Sequence, residues 1–164
     1  MTWYLVVKFL HIAAVIVSVG GIFARQLLRR HASRMTDIQS FATFSAAAGR
    51  IESTMVIPGM AAILVFGILL AFLGHYPILG FLQGGQQNWL LAAIILLISI
   101  QIIIPTIFVP RGKKFEPVLQ DALARGEITP ELRTAMNDRV VRRAHYYEEI
   151  AVILIAALMV LKPF

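Results

Sequence analysis

Residues 89–109 read Trp-Leu-Leu-Ala-Ala-Ile-Ile-Leu-Leu-Ile-Ser-Ile-Gln-Ile-Ile-Ile-Pro-Thr-Ile-Phe-Val, without a single charge. Wound as an α-helix at about 1.5 Å per residue, this stretch is about 31 Å long, the thickness of a bilayer's hydrocarbon core. Its aliphatic side chains surround the whole circumference instead of forming one stripe, so the natural solvent is lipid. Trp3 to Phe23 and Thr54 to Leu73 are runs of the same kind, and Ile150 to Leu161 is a shorter fourth. A chain that is 59% hydrophobic and 15% charged, with its apolar residues gathered in this way, belongs with membrane proteins. The expected fold is an all-α, integral membrane four-helix bundle forming one transmembrane domain over residues 1–164. Its helices are expected at about 3–34, 54–73, 89–109 and 130–161.

Working outward from 89–109, Gln101 and Pro105 interrupt the aliphatic run, and Pro105 frees a backbone carbonyl near Gln101, which marks a packed face. Residues 74–88 form a loop without Lys, Arg, Asp or Glu. The run at 54–73 carries Pro58, Gly59 and Gly67, which predict a bend and a close helix approach. It is preceded by an expected loop from Thr36 to Arg50. After Val109 the sequence turns polar, and 110–129 reads as a loop with a short helix near 115–124 and a stop at Gly126. Thr129-Pro130-Glu131 reads as an N-cap, a proline at the first helical position and an acid in the first turn, opening a helix unbroken to Leu161. The apolar part of that helix is too short to span alone, so Tyr146, Tyr147, Glu148 and Glu149 must be drawn in beside it. The first helix continues to about Arg34, where Arg25, Arg29 and Arg30 reach for headgroup phosphates.

Thirteen of the fifteen Lys and Arg residues fall in the first and third connections, which the positive-inside rule makes cytoplasmic. Both termini and the loop around His75 are then on the periplasmic, outer side of a bacterial inner membrane. The formal charge of +6 serves anionic headgroups lying beside these loops, which removes nucleic acid from the expected partners.

The absence of cysteine excludes disulfides and thiolate chemistry. No phosphate-binding loop, Ser/His/Asp arrangement or zinc spacing is present. His11 lies about 12 Å below Trp3 by helical rise, and Lys8 is one turn above it on nearly the same face. Ionisable groups at such depth are functional candidates. The alternative is that Lys8 snorkels to the interface and His11 makes one interhelical hydrogen bond. Glu148 and Glu149 point about 100° apart, so only one can face the bundle centre squarely. That carboxylate either pairs with Arg142, Arg143 or an arginine of the first connection, or accepts protons at the mouth of a cofactor site. His31 and His75 read as solvated, and Met55, Met60 and Met159 as packing.

Trp3-Tyr4-Leu5-Val6-Val7-Lys8-Phe9-Leu10-His11-Ile12 with Gly20-Gly21-Ile22-Phe23-Ala24-Arg25 resembles the first helix of HemJ-type protoporphyrinogen oxidases, four-helix haem-binding membrane proteins. Glu149 to Ile155 and Val160-Leu161-Lys162-Pro163-Phe164 resemble that family's last helix. The run 89–109 has no lysine where those oxidases carry one. The overall plan is similar to an uncharacterised family of small predicted integral membrane proteins allied to HemJ and to copper-resistance membrane subunits. The resemblance implies the fold and leaves the activity unassigned. It implies His11 as an axial haem ligand, and Lys8 and Arg25 as groups that bind and orient propionates or a tetrapyrrole carboxylate. Two functions follow as expectations: a haem-associated redox protein ligated by His11, or a non-catalytic accessory or assembly subunit, alone as a homo-oligomer or within a larger membrane complex.

Overall fold

The computed structural model describes residues 2–85 and 88–163, which are helical with no strand among them. α1 spans Thr2–Ala32. α2 (Ile38–Ile51) passes through a wide π-type turn, Glu52–Val56, into α3 (Ile57–Leu73). α4 (Trp89–Ile103) passes through a second such turn, Ile104–Phe108, into α5 (Val109–Arg125). α6 (Pro130–Met136) and α7 (Arg139–Leu161) complete the chain. Four stretches, Trp3–Ala32, Ile38–Leu73, Trp89–Arg125 and Pro130–Leu161, are long and apolar enough to cross a membrane.

Two stretches expected to be loops are helical. Thr36–Arg50 becomes α2 because Asp37 accepts the amide of Ser40 at 2.7 Å and caps the helix, while Ile38, Phe41 and Ala48 bury one face. The same capping N–H holds the exposed Asp37 carboxyl below its ordinary range. The segment after Val109 continues as α5 to Arg125, with the expected stop at Gly126 in the left-handed conformation (φ 73°). These extensions bring Ala32, Ile38, Phe41, Leu119, Ala122 and Leu132 into a second small core at the basic end of the bundle. Conversely, the helix expected to run unbroken from Thr129 divides. Thr129 caps α6, but Asp138 captures the amides of Val140 and Val141 and pairs with Arg111, starting α7 afresh.

Both π-type turns lie beside a proline. Pro105 has no N–H to offer, and its wide turn is closed by Val109 donating to the Ile104 carbonyl. Thr106 Oγ1 donates to the carbonyl of Ile102 at 2.6 Å. The first turn, closed by Ile57 donating to Glu52, lies just ahead of Pro58. Each extra residue rotates the following helix by about 100°, so a helix can aim different faces inward before and after the turn.

α1 packs along α3, and α4 along α7. Ile22, Val56, Met60, Ile100, Ala151 and Val152 form the core between these pairs. Lys162, beyond the end of α7, lies 5.3 Å from the ring of Tyr76 and 5.2 Å from that of Trp89. Tyr76, Trp89 and the end of α7 therefore share one end of the bundle, opposite the basic helices.

Gly59 lets α3 approach α1, and Gly21 lets the first π-type turn approach it. A Cβ on Gly59 would lie 2.7 Å from the Ser18 Cβ, and one on Gly21 would lie 3.0 Å from the Met55 Cβ. Gly59→Val should lower bundle stability by about 1–3 kcal/mol in a detergent-unfolding titration. Gly20 has open space around it, so Gly20→Ala should stay within about 0.5 kcal/mol of wild type. Equal effects of the two substitutions would contradict this packing.

Candidate functional site

Ser18, Ile22 and Arg25 recur at helical spacing along the inner face of α1, with the exposed Arg29 one turn on. Ser18 and Ile22 are fully enclosed, and Arg25 is only 2% exposed. Arg25 is thus not the headgroup anchor expected of the arginine-rich end of α1. Its guanidinium bridges two carboxylates, Glu52 at the first π-type turn and Glu148 on α7. Burial alone would make such a charge costly; two charge-assisted pairs offset that cost. The Nε of Arg25 is enclosed without a partner.

His145, one turn before Glu148 on α7, completes the network. Its Nε2 is 3.0 Å from Arg29 Nη1, and its Nδ1 is 3.2 Å from Arg25 Nη2 and 3.4 Å from Glu148 Oε2. Guanidinium groups only donate and a neutral imidazole has one ring lone pair, so the closer contact, with Arg29, takes the lone pair on Nε2, and Arg25 Nη2 lies beside Nδ1 without a hydrogen bond to it. The proton then sits on Nδ1 and donates to Glu148, an assignment made from the donor inventory. Phe108, from the second π-type turn, stacks on the imidazole at 4.4 Å and 21°. With neutral His145, the charges of Arg25 and Arg29 balance those of Glu52 and Glu148.

All four membrane-crossing stretches, two of them through their irregular turns, therefore converge on one neutral cluster. Chemically it is a clamp: Arg25 pairs with both carboxylates, and Arg29, in contact with neutral His145, balances the remaining charge. Among the described residues no group of His, Asp and Glu could hold a metal ion. Of the paired glutamates, Glu148 faces inward, and Glu149 lies 3.9 Å from the exposed Arg30, so both acids meet arginines of the first connection, one of the expected alternatives. Tyr147 stays exposed but links α7 to α4. Its O–H donates to Ser99 Oγ at 2.5 Å, because the Ser99 proton goes to the Leu96 carbonyl at 2.6 Å.

His11 lies elsewhere, on the α1 face toward α3. It is half-buried, and its Nδ1 is enclosed without a hydrogen-bond partner. Gly67 faces it: a Cβ there would lie 3.2 Å from His11 Cε1 and crowd the ring. Lys8 is exposed one turn nearer the end of α1. The structure does not bring Arg25 to these two residues. Fourteen positions separate Arg25 from His11, about 21 Å along the helix.

Sequence reasoning missed Glu52 and Phe108 entirely and treated His145 as a neighbour of the glutamates. The available signal was the spacing Ser18, Ile22, Arg25, Arg29, which puts an arginine on the same face as two core positions.

A family model described as "Predicted integral membrane protein (DUF2269)" matches residues 5–163. No curated protein and no solved structure matches the chain.

Proposed function

Because the chain belongs to this family of predicted integral membrane proteins, we propose that it works within the bilayer as a haem-associated bundle with His11 as an axial ligand. One observation carries the reading: a histidine within a spanning helix has an enclosed, unpartnered Nδ1 and a glycine opposite that makes room for its ring. A buried polar atom without a partner is uncommon in a folded protein and calls for an explanation. Ligation by the other nitrogen, Nε2, would give Nδ1 the proton, and the Ile63 carbonyl, which the ring approaches, is the natural acceptor.

The donor set fits one protein ligand. His145 is committed to the arginine network, and His31 and His75 lie at the end of α1 and in the 74–88 connection. Lys8 suits an anionic group near the interface. Arg25 is committed to Glu52 and Glu148 and leaves the proposed haem contacts. When bound, haem supplies one-electron chemistry. The chain itself supplies the imidazole, the apolar surroundings and the clamp that fixes α1 against α7. Protein purified from haem-supplied cells should show a Soret band, and colourless protein would end this reading.

The proposal keeps the positive-inside orientation in an inner membrane facing anionic headgroups. A reporter inserted near Gly84 should be periplasmic and one near Gly126 cytoplasmic; the reverse pattern overturns the orientation.

The accessory-subunit reading is favoured by a different observation. Ile95, Ile98 and Ile102 form an exposed stripe on α4, whereas Ile94 packs inward with Ala71, Trp89 and Leu90. Such a face suits a partner helix or a second copy of the chain. Co-purification in mild detergent tests it, and a protein that migrates alone at every detergent strength counts against it.

A further inference from the structure

The two helix pairs leave a lateral cleft. α3 packs on α1 and α4 on α7, while α3 and α4 have no close backbone pairing and meet through side chains such as Met60 with Ile100 and Ala71 with Ile94. Between them lies a pocket of about 340 Å³, walled by Val56, Ile57, Met60, Ala61, Leu64 and Ile104. Two polar groups line it as well, Gln101 of α4 and Glu148 of α7. Gln101 is twelve residues into α4 from Trp89, about 18 Å deep by helical rise, so the cleft lies at the level of hydrocarbon.

Both polar groups have unused hydrogen-bonding capacity directed into this cleft. Arg25 and His145 both address Oε2 of Glu148, leaving Oε1 with no partner among the described residues. The carboxamide of Gln101 also has none among the described residues; Gln101 is half-buried, and Glu148 is 2% exposed where it lines the cleft. Lipid chains cannot satisfy an amide or a carboxylate oxygen, and leaving either unpaired in hydrocarbon is costly. The clamp accounts for Oε2 but not for an acceptor oxygen and an amide facing the same apolar slot.

The charge of the occupant follows from the network. Glu148 is already neutralised within a cluster holding two arginines and two glutamates, so no unmatched anion awaits a cation. An anionic head would be repelled by the carboxylate. The complement is a neutral head that donates to Glu148 Oε1 and accepts from the Gln101 amide, attached to an apolar body that can reach the slot through lipid. The pocket volume suits one substituted ring.

We propose that the cleft between α3 and α4 binds a neutral, lipid-soluble molecule with a phenol-like head, whose hydroxyl donates to Glu148 and whose second oxygen accepts from Gln101. This site is independent of His11 and does not rest on the haem reading. Its walls contain no imidazole.

The test uses the full chain in phospholipid nanodiscs and two photoreactive probes, a diazirine-bearing 4-alkoxyphenol and its methyl ether. The ether has the same apolar body and cannot donate. The phenol should label peptides containing Ile57–Leu64 and Gln101–Ile104 at least about tenfold more than the ether, the discrimination expected of a hydrogen bond to a carboxylate. Gln101→Leu should reduce labelling by about tenfold, and Ala61→Phe, which fills the slot from an exposed position, should abolish it. Circular dichroism on both variants checks that the helices persist. Equal labelling of the cleft by both probes would mean that acyl chains fill it and would overturn the proposal. Labelling scattered over the lipid-facing aliphatic surface, or unchanged in folded Gln101→Leu, would also overturn it.

Discussion

Arg25→Leu should cost the bundle about 3–5 kcal/mol in a detergent-unfolding titration, the loss expected when one partner of a buried ion pair is removed. The size follows from what remains. Glu148 is 2% exposed and would face an apolar side chain in place of a guanidinium, with only the long contact from His145 left. Glu52 loses its partner too, but its side chain is 27% exposed and can recover hydration at the basic end. The asymmetry sets the double-mutant result. Arg25→Leu combined with Glu148→Leu removes the stranded charge together with its partner, so the pair should cost clearly less than the two single losses added. Near-additive losses, or a single loss below about 1 kcal/mol, would mean that the cluster does not clamp these helices.

His11→Ala should remove haem almost completely, at least tenfold in retained Soret absorbance per chain, while stability changes by only about 1 kcal/mol. These two expectations come from the same feature. Apart from its approach to the Ile63 carbonyl, His11 makes no protein hydrogen bond, so truncation breaks little of that kind and removes a polar group from a spanning helix. Glycine at 67 sees less crowding after the change, not more. Lys8→Met, at an exposed position one turn away, should weaken haem retention without abolishing it. An interhelical hydrogen-bond role gives the opposite pattern, an unchanged spectrum and a less stable bundle.

The membrane-crossing architecture was legible because an aliphatic run such as 89–109 has only one solvent that suits it. What composition concealed was the continuation of helices into polar sequence. Ile38 to Ile51 and Val109 to Arg125 look like loops because they carry serines, lysines and arginines. Yet Ile38, Phe41, Leu119 and Ala122 recur at helical spacing and find one another only in three dimensions. The break at Asp138 was hidden for the reverse reason: a short polar residue inside a good helical pattern caps a new helix only when its oxygen reaches the next amides. Gln101 with Pro105 was readable as an irregular face, but its neighbour Glu148 belongs to another helix. The partners of Arg25 lie 27 and 123 residues away, so the sequence could place the arginine on a face without naming its carboxylates.

The proposed ligation by His11 is tested most directly by resonance Raman spectroscopy of the reduced protein grown with ¹⁵N-labelled histidine. Ligation at His11 predicts an iron–histidine stretching band that shifts with the label in the wild type and is lost in His11→Ala, but persists in His31→Ala and His75→Ala. A wild-type protein without haem, or a label-sensitive band that survives in His11→Ala, would contradict it.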